Sequence, residues 1–129
     1  HGAARQLMER FGLLSLARQL SSTLSGGEKR RLEIARALAL SPSYLFLDEP
    51  FTGIDPIAIG EIQTLLGELK KEGLGILVSD HNVRETLKIT ERAYIIMDGL
   101  VIRRGSPEEL VRDPFIREKY LGRELKIEG

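Results

Sequence analysis

The sequence predicts an α/β domain built on a mainly parallel sheet, and three observations carry that reading. Two short, continuous apolar runs, Tyr44-Leu45-Phe46-Leu47 and Ile76-Leu77-Val78-Ser79, are bounded by turn signals, as buried parallel strands are. Between them lies a helix signal: Asp55-Pro56, then apolar residues at helical spacing. Strands alternating with helices in this way indicate an α/β arrangement. The chain has 129 residues, 42% hydrophobic and 29% charged, one domain's worth of soluble globular sequence. Its 19 basic and 19 acidic residues cancel and are spread along the chain, which argues against a nucleic-acid partner or a basic membrane-surface patch. The absence of cysteine excludes disulfides, a thiol nucleophile and thiolate metal ligands. No stretch nears the ~18 apolar residues of a membrane span, and no secretory signal is expected.

In chain order, Ala3 to Leu20 places Leu7, Met8, Phe11, Leu14 and Leu16 at roughly helical spacing with a break at Gly12, predicting a helix, a turn and a second short helical piece. After Ser21-Ser22-Thr23, the turn Ser25-Gly26-Gly27 opens a run from Lys29 to Leu40 of strong helix formers, with Ile34 and Leu38 on its apolar side. Ser41-Pro42-Ser43 stops it, and the first strand ends in Asp48-Glu49-Pro50. Asp55 caps the next helix, whose apolar positions Ile57, Ile59, Ile62, Leu65, Leu66 and Leu69 run to about Glu72 before Gly73. The second strand leads to Asp80-His81-Asn82 and a shorter helix over about 83–88. Residues 93–97 and 100–103 flank Asp98-Gly99, a hairpin signal. Ser106-Pro107-Glu108-Glu109 is a capping box, and Asp113-Pro114 starts a last helix ending near Gly122.

Three places have the residue types for chemistry, each with a plainer alternative. A helix N-terminus offers free N–H groups and the positive end of the macrodipole to an anion, and glycines let a ligand reach the backbone; Ser25-Gly26-Gly27 fits that use, or is an ordinary turn. Asp48 and Glu49 stand at the carboxyl end of a strand, where open α/β sheets bind ligands. One carboxylate suits Mg²⁺ and the other can orient and deprotonate a water; a bare pair of solvated acids is the alternative. His81, one residue beyond a strand, is either an exposed turn residue or a donor to developing negative charge. Asp55 is at least an N-cap.

The longer strings are more specific. Leu24-Ser25-Gly26-Gly27-Glu28-Lys29-Arg30-Arg31 resembles the signature motif of ATP-binding-cassette (ABC) ATPases. Leu45-Phe46-Leu47-Asp48-Glu49-Pro50 resembles their Walker B motif, Phe51-Thr52-Gly53-Ile54-Asp55 their D-loop, and His81 their switch histidine, all in the family's order. The resemblance implies the carboxyl-terminal part of a RecA-like ATPase domain. ATP and Mg²⁺ would be its ligands: Asp48 for the metal, Glu49 as catalytic base, His81 at the terminal phosphate. Ser25, Gly26, Gly27, Glu28 and Asp55 would lie at the nucleotide. It further implies a head-to-tail dimer with a second copy, bound to transmembrane permease subunits on the cytoplasmic face of the inner membrane. The run Asp80-His81-Asn82-Val83-Arg84-Glu85-Thr86-Leu87, with Glu91-Arg92-Ala93-Tyr94 and Tyr120-Leu121-Gly122, is most similar to ATPase subunits of lipopolysaccharide export. ATPases of branched-chain amino-acid importers are the nearest alternative. Chromosome-maintenance and translation ATPases fit less well, because no heptad run or second cassette is present.

None of the 13 glycines is followed by lysine, so the phosphate-binding loop G-x-x-x-x-G-K-[ST] is absent. By the resemblance, the chain is expected to be the carboxyl half of a nucleotide-binding domain, without the P-loop strand. Residues 1–42 would be a remnant of the helical subdomain, 43–105 the core part with terminal hairpin, and 106–129 the closing helices. Such a fragment is expected to be inactive alone, a non-catalytic interaction piece. Without a central strand it is expected to pair edges, swap segments or rearrange its sheet.

Overall fold

The computed structural model describes residues 2–13 and 24–122. Expectations for Leu14, Leu16, the second helical piece to Leu20, Ser21-Ser22-Thr23 and residues 123–129 lie outside these. The fold divides between Asp80 and His81 into two compact units.

In the first unit, α1 spans Gly2–Arg10 and ends in a turn where Gly12 takes φ 68°, the break expected there. Phe11 and Leu13 are buried behind that turn. Helix α2, Gly26–Leu38, begins at Ser25 and buries Ile34 and Ala35. Strand β1, Tyr44–Asp48, pairs in parallel with β2, Gly75–Ser79, in the register Phe46 to Leu77 and Asp48 to Ser79. Between the strands runs α3, Pro56–Lys71. Asp55 Oδ1 accepts from the Ala58 amide at 2.8 Å, and Pro56 occupies a first-turn position where no amide is needed. Ile59, Ile62, Leu65, Leu66 and Leu69 form one buried stripe, each worth roughly 1.5–3 kcal/mol of burial. Lys70 and Lys71 suit the negative end of the helix, and Gly73, at φ 96°, turns the chain back into β2.

The expectation that both runs are buried strands is corrected. Leu45 is buried, but Phe46 and Leu77, neighbours on the other face, are 74% and 61% exposed. The physical reason is the alternation of side chains: helix α3 packs against β2, and in a two-stranded sheet every second residue faces away from the covered side.

The second unit holds α4, Val83–Leu87, and the antiparallel hairpin of β3, Ala93–Met97, and β4, Leu100–Gly105. Asp98 and Gly99 have φ 51° and 77°, the left-handed pair that a two-residue hairpin turn requires. The register shifts between Ile95 and Ile96, leaving Ile102 as an extra residue on β4, packed on the core of this unit. Strand β4 thus runs two residues beyond the expected end at Arg103. Helix α5, Pro107–Arg112, opens on the capping box of Ser106 and Glu109. Helix α6, Pro114–Ile116, is capped by Asp113 and widens into a π-helical turn over Arg117–Leu121 before Gly122. Leu87, Ile95, Leu110, Ile116 and Leu121 form the core of this unit.

Candidate functional site

The site residues of the first unit lie at the N-terminus of α2, the exit of β1 and the start of α3. Ser25 and Glu28 close a reciprocal box: Ser25 Oγ accepts from the Glu28 amide at 3.1 Å, and Glu28 Oε1 accepts from the Ser25 amide at 2.8 Å. Within the described residues, no hydrogen bond uses the amides of Gly26 and Gly27. The two glycines are also required for packing. A Cβ on Gly26 would stand 3.2 Å from the Gly53 carbonyl oxygen, and one on Gly27 would stand 2.7 Å from the Ala58 Cβ. They bring α2 against the turn before α3 and against its first turn. A helix end with two unused amides suits an oxygen anion, so this terminus fits a phosphate.

Asp48 is the last residue of β1 and is exposed. Among the described residues, no group of three or more His, Asp or Glu side chains gathers as a metal cage. A cation at Asp48 would therefore complete its shell with water and phosphate oxygens, the usual arrangement for Mg²⁺, and the carboxylate fits that ion.

Glu49, also exposed, leaves the strand with φ 52°, a left-handed conformation that costs a non-glycine residue about 1–3 kcal/mol. Hydrogen bonds from both strands and from α2 hold the turn that follows. The Glu49 amide donates to the Ser79 carbonyl at 2.6 Å, and the Thr52 amide donates to the Glu49 carbonyl at 3.3 Å. The Phe51 amide donates to Asp80 Oδ2 at 2.9 Å. From α2, Arg30 Nη1 reaches the Glu49 carbonyl at 2.7 Å, and its Nη2 donates to the Thr52 carbonyl at 3.0 Å. Pro50 and Phe51 are buried beneath. The sequence reading brought forward the acids and missed Arg30 and Asp80 as supports. Both look like ordinary charged residues, one on the polar side of a helix and one after a strand, and no local pattern marks either.

Asp55 acts as the N-cap of α3, as expected from sequence. His81 belongs to the second unit; it is exposed, just ahead of α4, and its carbonyl accepts from the Val83 amide at 3.0 Å. Asn82 caps α4, its Oδ1 accepting from the Glu85 amide at 3.3 Å.

The ABC transporter family matches over residues 2–52. The lipopolysaccharide export system ATP-binding protein LptB of Acidithiobacillus ferridurans is 55% identical over 122 residues, 95% of this chain and 51% of that protein. The chain is similar to ATP-binding proteins of ABC transporters. LptB of Escherichia coli K12 is 47% identical over 124 residues, 96% of this chain and 52% of that protein. In fold, the chain is similar to the crystal structure of the ADP conformation of MJ1267, an ATP-binding cassette of an ABC transporter, with TM-score 0.82 and 29% identity. That likeness covers 94% of this chain and 49% of MJ1267. The α/β class and its parallel strands accord with the sequence expectation. The chain spans about half the length of the curated relatives it matches. No helix among the described residues is long and apolar enough to cross a membrane.

Proposed function

We propose that this chain is part of the ATP-hydrolysing subunit of an ABC transporter, one that powers lipopolysaccharide export from the inner membrane. The observation that carries the proposal is the exit of β1, where Asp48 and the left-handed Glu49 stand on a turn tied to the signature helix. The identity to LptB proteins and the run from Asp80 to Leu87 support the lipopolysaccharide assignment. The division into helical-subdomain remnant, core part and closing helices, over 1–42, 43–105 and 106–129, belongs to the same proposal.

In this reading Asp48 would hold Mg²⁺, which would supply neutralising charge for the phosphate oxygens. The Glu49 carboxylate accepts a hydrogen bond from the attacking water, aligns it with the terminal phosphate and takes its proton. The Gly26 and Gly27 amides, with Ser25 and Glu28 around them, meet the terminal phosphate of a nucleotide held by a second copy in a head-to-tail dimer. Asp55 sits at that dimer contact, and His81 donates a hydrogen bond to the charge that develops on the phosphate. Closing and reopening of the dimer would move permease partners in the membrane from its cytoplasmic face.

The test is steady-state ATP hydrolysis by the full-length protein that carries this sequence, assembled with its permease. Glu49→Gln should lower kcat by about 10³-fold or more while nucleotide binding persists, and Asp48→Asn should weaken the dependence on Mg²⁺. The 129-residue chain alone, with no Gly-Lys pair, should give negligible turnover. Clear turnover by that chain, abolished by Glu49→Gln, would overturn the expectation of an inactive fragment.

A further inference from the structure

Glu49 is in a conformation that a glutamate leaves readily unless its surroundings hold it, and the hold comes from outside its own strand. The Glu49 carbonyl accepts from both Thr52 and Arg30, and the Thr52 carbonyl accepts from the second arm of the same guanidinium. Arg30 therefore spans both ends of the turn that sets where Glu49 stands. Its Nε lies 4.0 Å from Glu33, which leaves the two terminal nitrogens for the carbonyls. Arg30 itself is on α2, five residues after Ser25 and three after Gly27. The end of the helix with unused amides and the backbone of the acidic residue are thus joined by one rigid fork.

We infer that Arg30 is a positioning residue for Glu49, fixing the backbone of the water-activating carboxylate to the signature helix of its own chain. The inference rests on the proposed role of Glu49 as the base. Arg30 touches neither the reacting atoms nor the metal ligand; it acts by keeping Glu49 left-handed. A planar fork can serve two carbonyls at once, whereas a lysine ammonium is a point donor on a flexible stem and cannot reproduce that grip. Displacing Arg30 should therefore cost the chemical step and spare the binding of nucleotide.

The experiment compares Arg30→Lys and Arg30→Met with wild type and Glu49→Gln, each in the full-length protein assembled with its permease. In Arg30→Lys, kcat should fall about tenfold or more while KM for ATP stays within about twofold. Arg30→Lys combined with Glu49→Gln should be no slower than Glu49→Gln alone, since a positioning residue has nothing left to position. If Arg30→Met does not fold, Arg30→Lys decides. A wild-type kcat in Arg30→Lys, or a loss confined to KM, overturns the inference. An inactive Glu49→Gln beside a fully active Arg30→Lys overturns it alone; normal turnover in Glu49→Gln overturns the base assignment and the inference together.

Discussion

At the scale of single residues, two glycines with crowded Cβ positions should respond in opposite ways to the same substitution. Gly27 faces the Ala58 Cβ on α3, a rigid neighbour, so Gly27→Ala forces two helices apart and should lower stability by about 1–3 kcal/mol. At Gly75 the added Cβ would stand 2.5 Å from Tyr44 Cδ1, but the Tyr44 ring is exposed and can rotate away. Gly75→Ala should therefore fall within about 1 kcal/mol of wild type, helped by the reduced freedom of the unfolded chain. Urea or thermal unfolding of the two variants measures the contrast, and equal losses would contradict it.

At the scale of elements, the joint between α5 and α6 carries a pH dependence. Asp113 Oδ1 accepts from the amides of Phe115 and Ile116, and its Oδ2 accepts from Arg103 Nε at 2.7 Å. Desolvation is the largest single influence on this carboxyl and raises its pKa. The Arg103 hydrogen bond, the two amides and the Arg103 charge together outweigh it and hold the group below its ordinary value. A carboxyl depressed in the folded state adds stability above its unfolded pKa, and that stability is lost as pH falls through the folded value. The stability difference between wild type and Asp113→Asn should accordingly shrink on acidification; a difference independent of pH would count against it. The caps that shape these elements are legible in the amino-acid sequence, because Ser25, Asp55, Ser106 and Asp113 each precede a helix with the right chemistry at the right offset. The hairpin is legible for a similar reason: Asp98-Gly99 suits two consecutive left-handed residues. The one-sided exposure of Phe46 and Leu77 is not, since a short continuous apolar run reads the same whether one face or two are covered. Neither the extra residue at Ile102 nor the π-helical turn at Arg117–Leu121 carries a local sequence mark. At the site, residue type and place single out Asp48 and Glu49. The left-handed backbone of Glu49 and the grip of Arg30 depend on contacts 19 and 22 residues apart, which no local pattern encodes.

At the scale of the whole molecule, each sheet has two strands among the described residues, which leaves each strand with an open edge within that described sheet. Tyr44, Phe46 and Leu77 add a contiguous exposed apolar face to the β1–β2 pair. Open edges beside such a face are templates for association. The 129-residue chain on its own should form dimers or larger species by light scattering. Replacing Phe46 and Leu77 together by serine should shift the population toward monomer. A chain that is strictly monomeric at high concentration, or a double variant with unchanged mass distribution, would argue against it.

The close approach at Gly26 and Gly27 has a consequence for genetics. A side chain at either position would obstruct the proposed anion site and also displace the turn or helix start that carries Asp55, so an allele there is pleiotropic by construction of the backbone. If that helix end binds phosphate as proposed, a loss of activity in such a strain has two sources, the crowded helix end and the displaced start of α3. Only a suppressor that makes room on the α3 side, such as Ala58→Gly beside Gly27→Ala, would separate the two defects in a living cell.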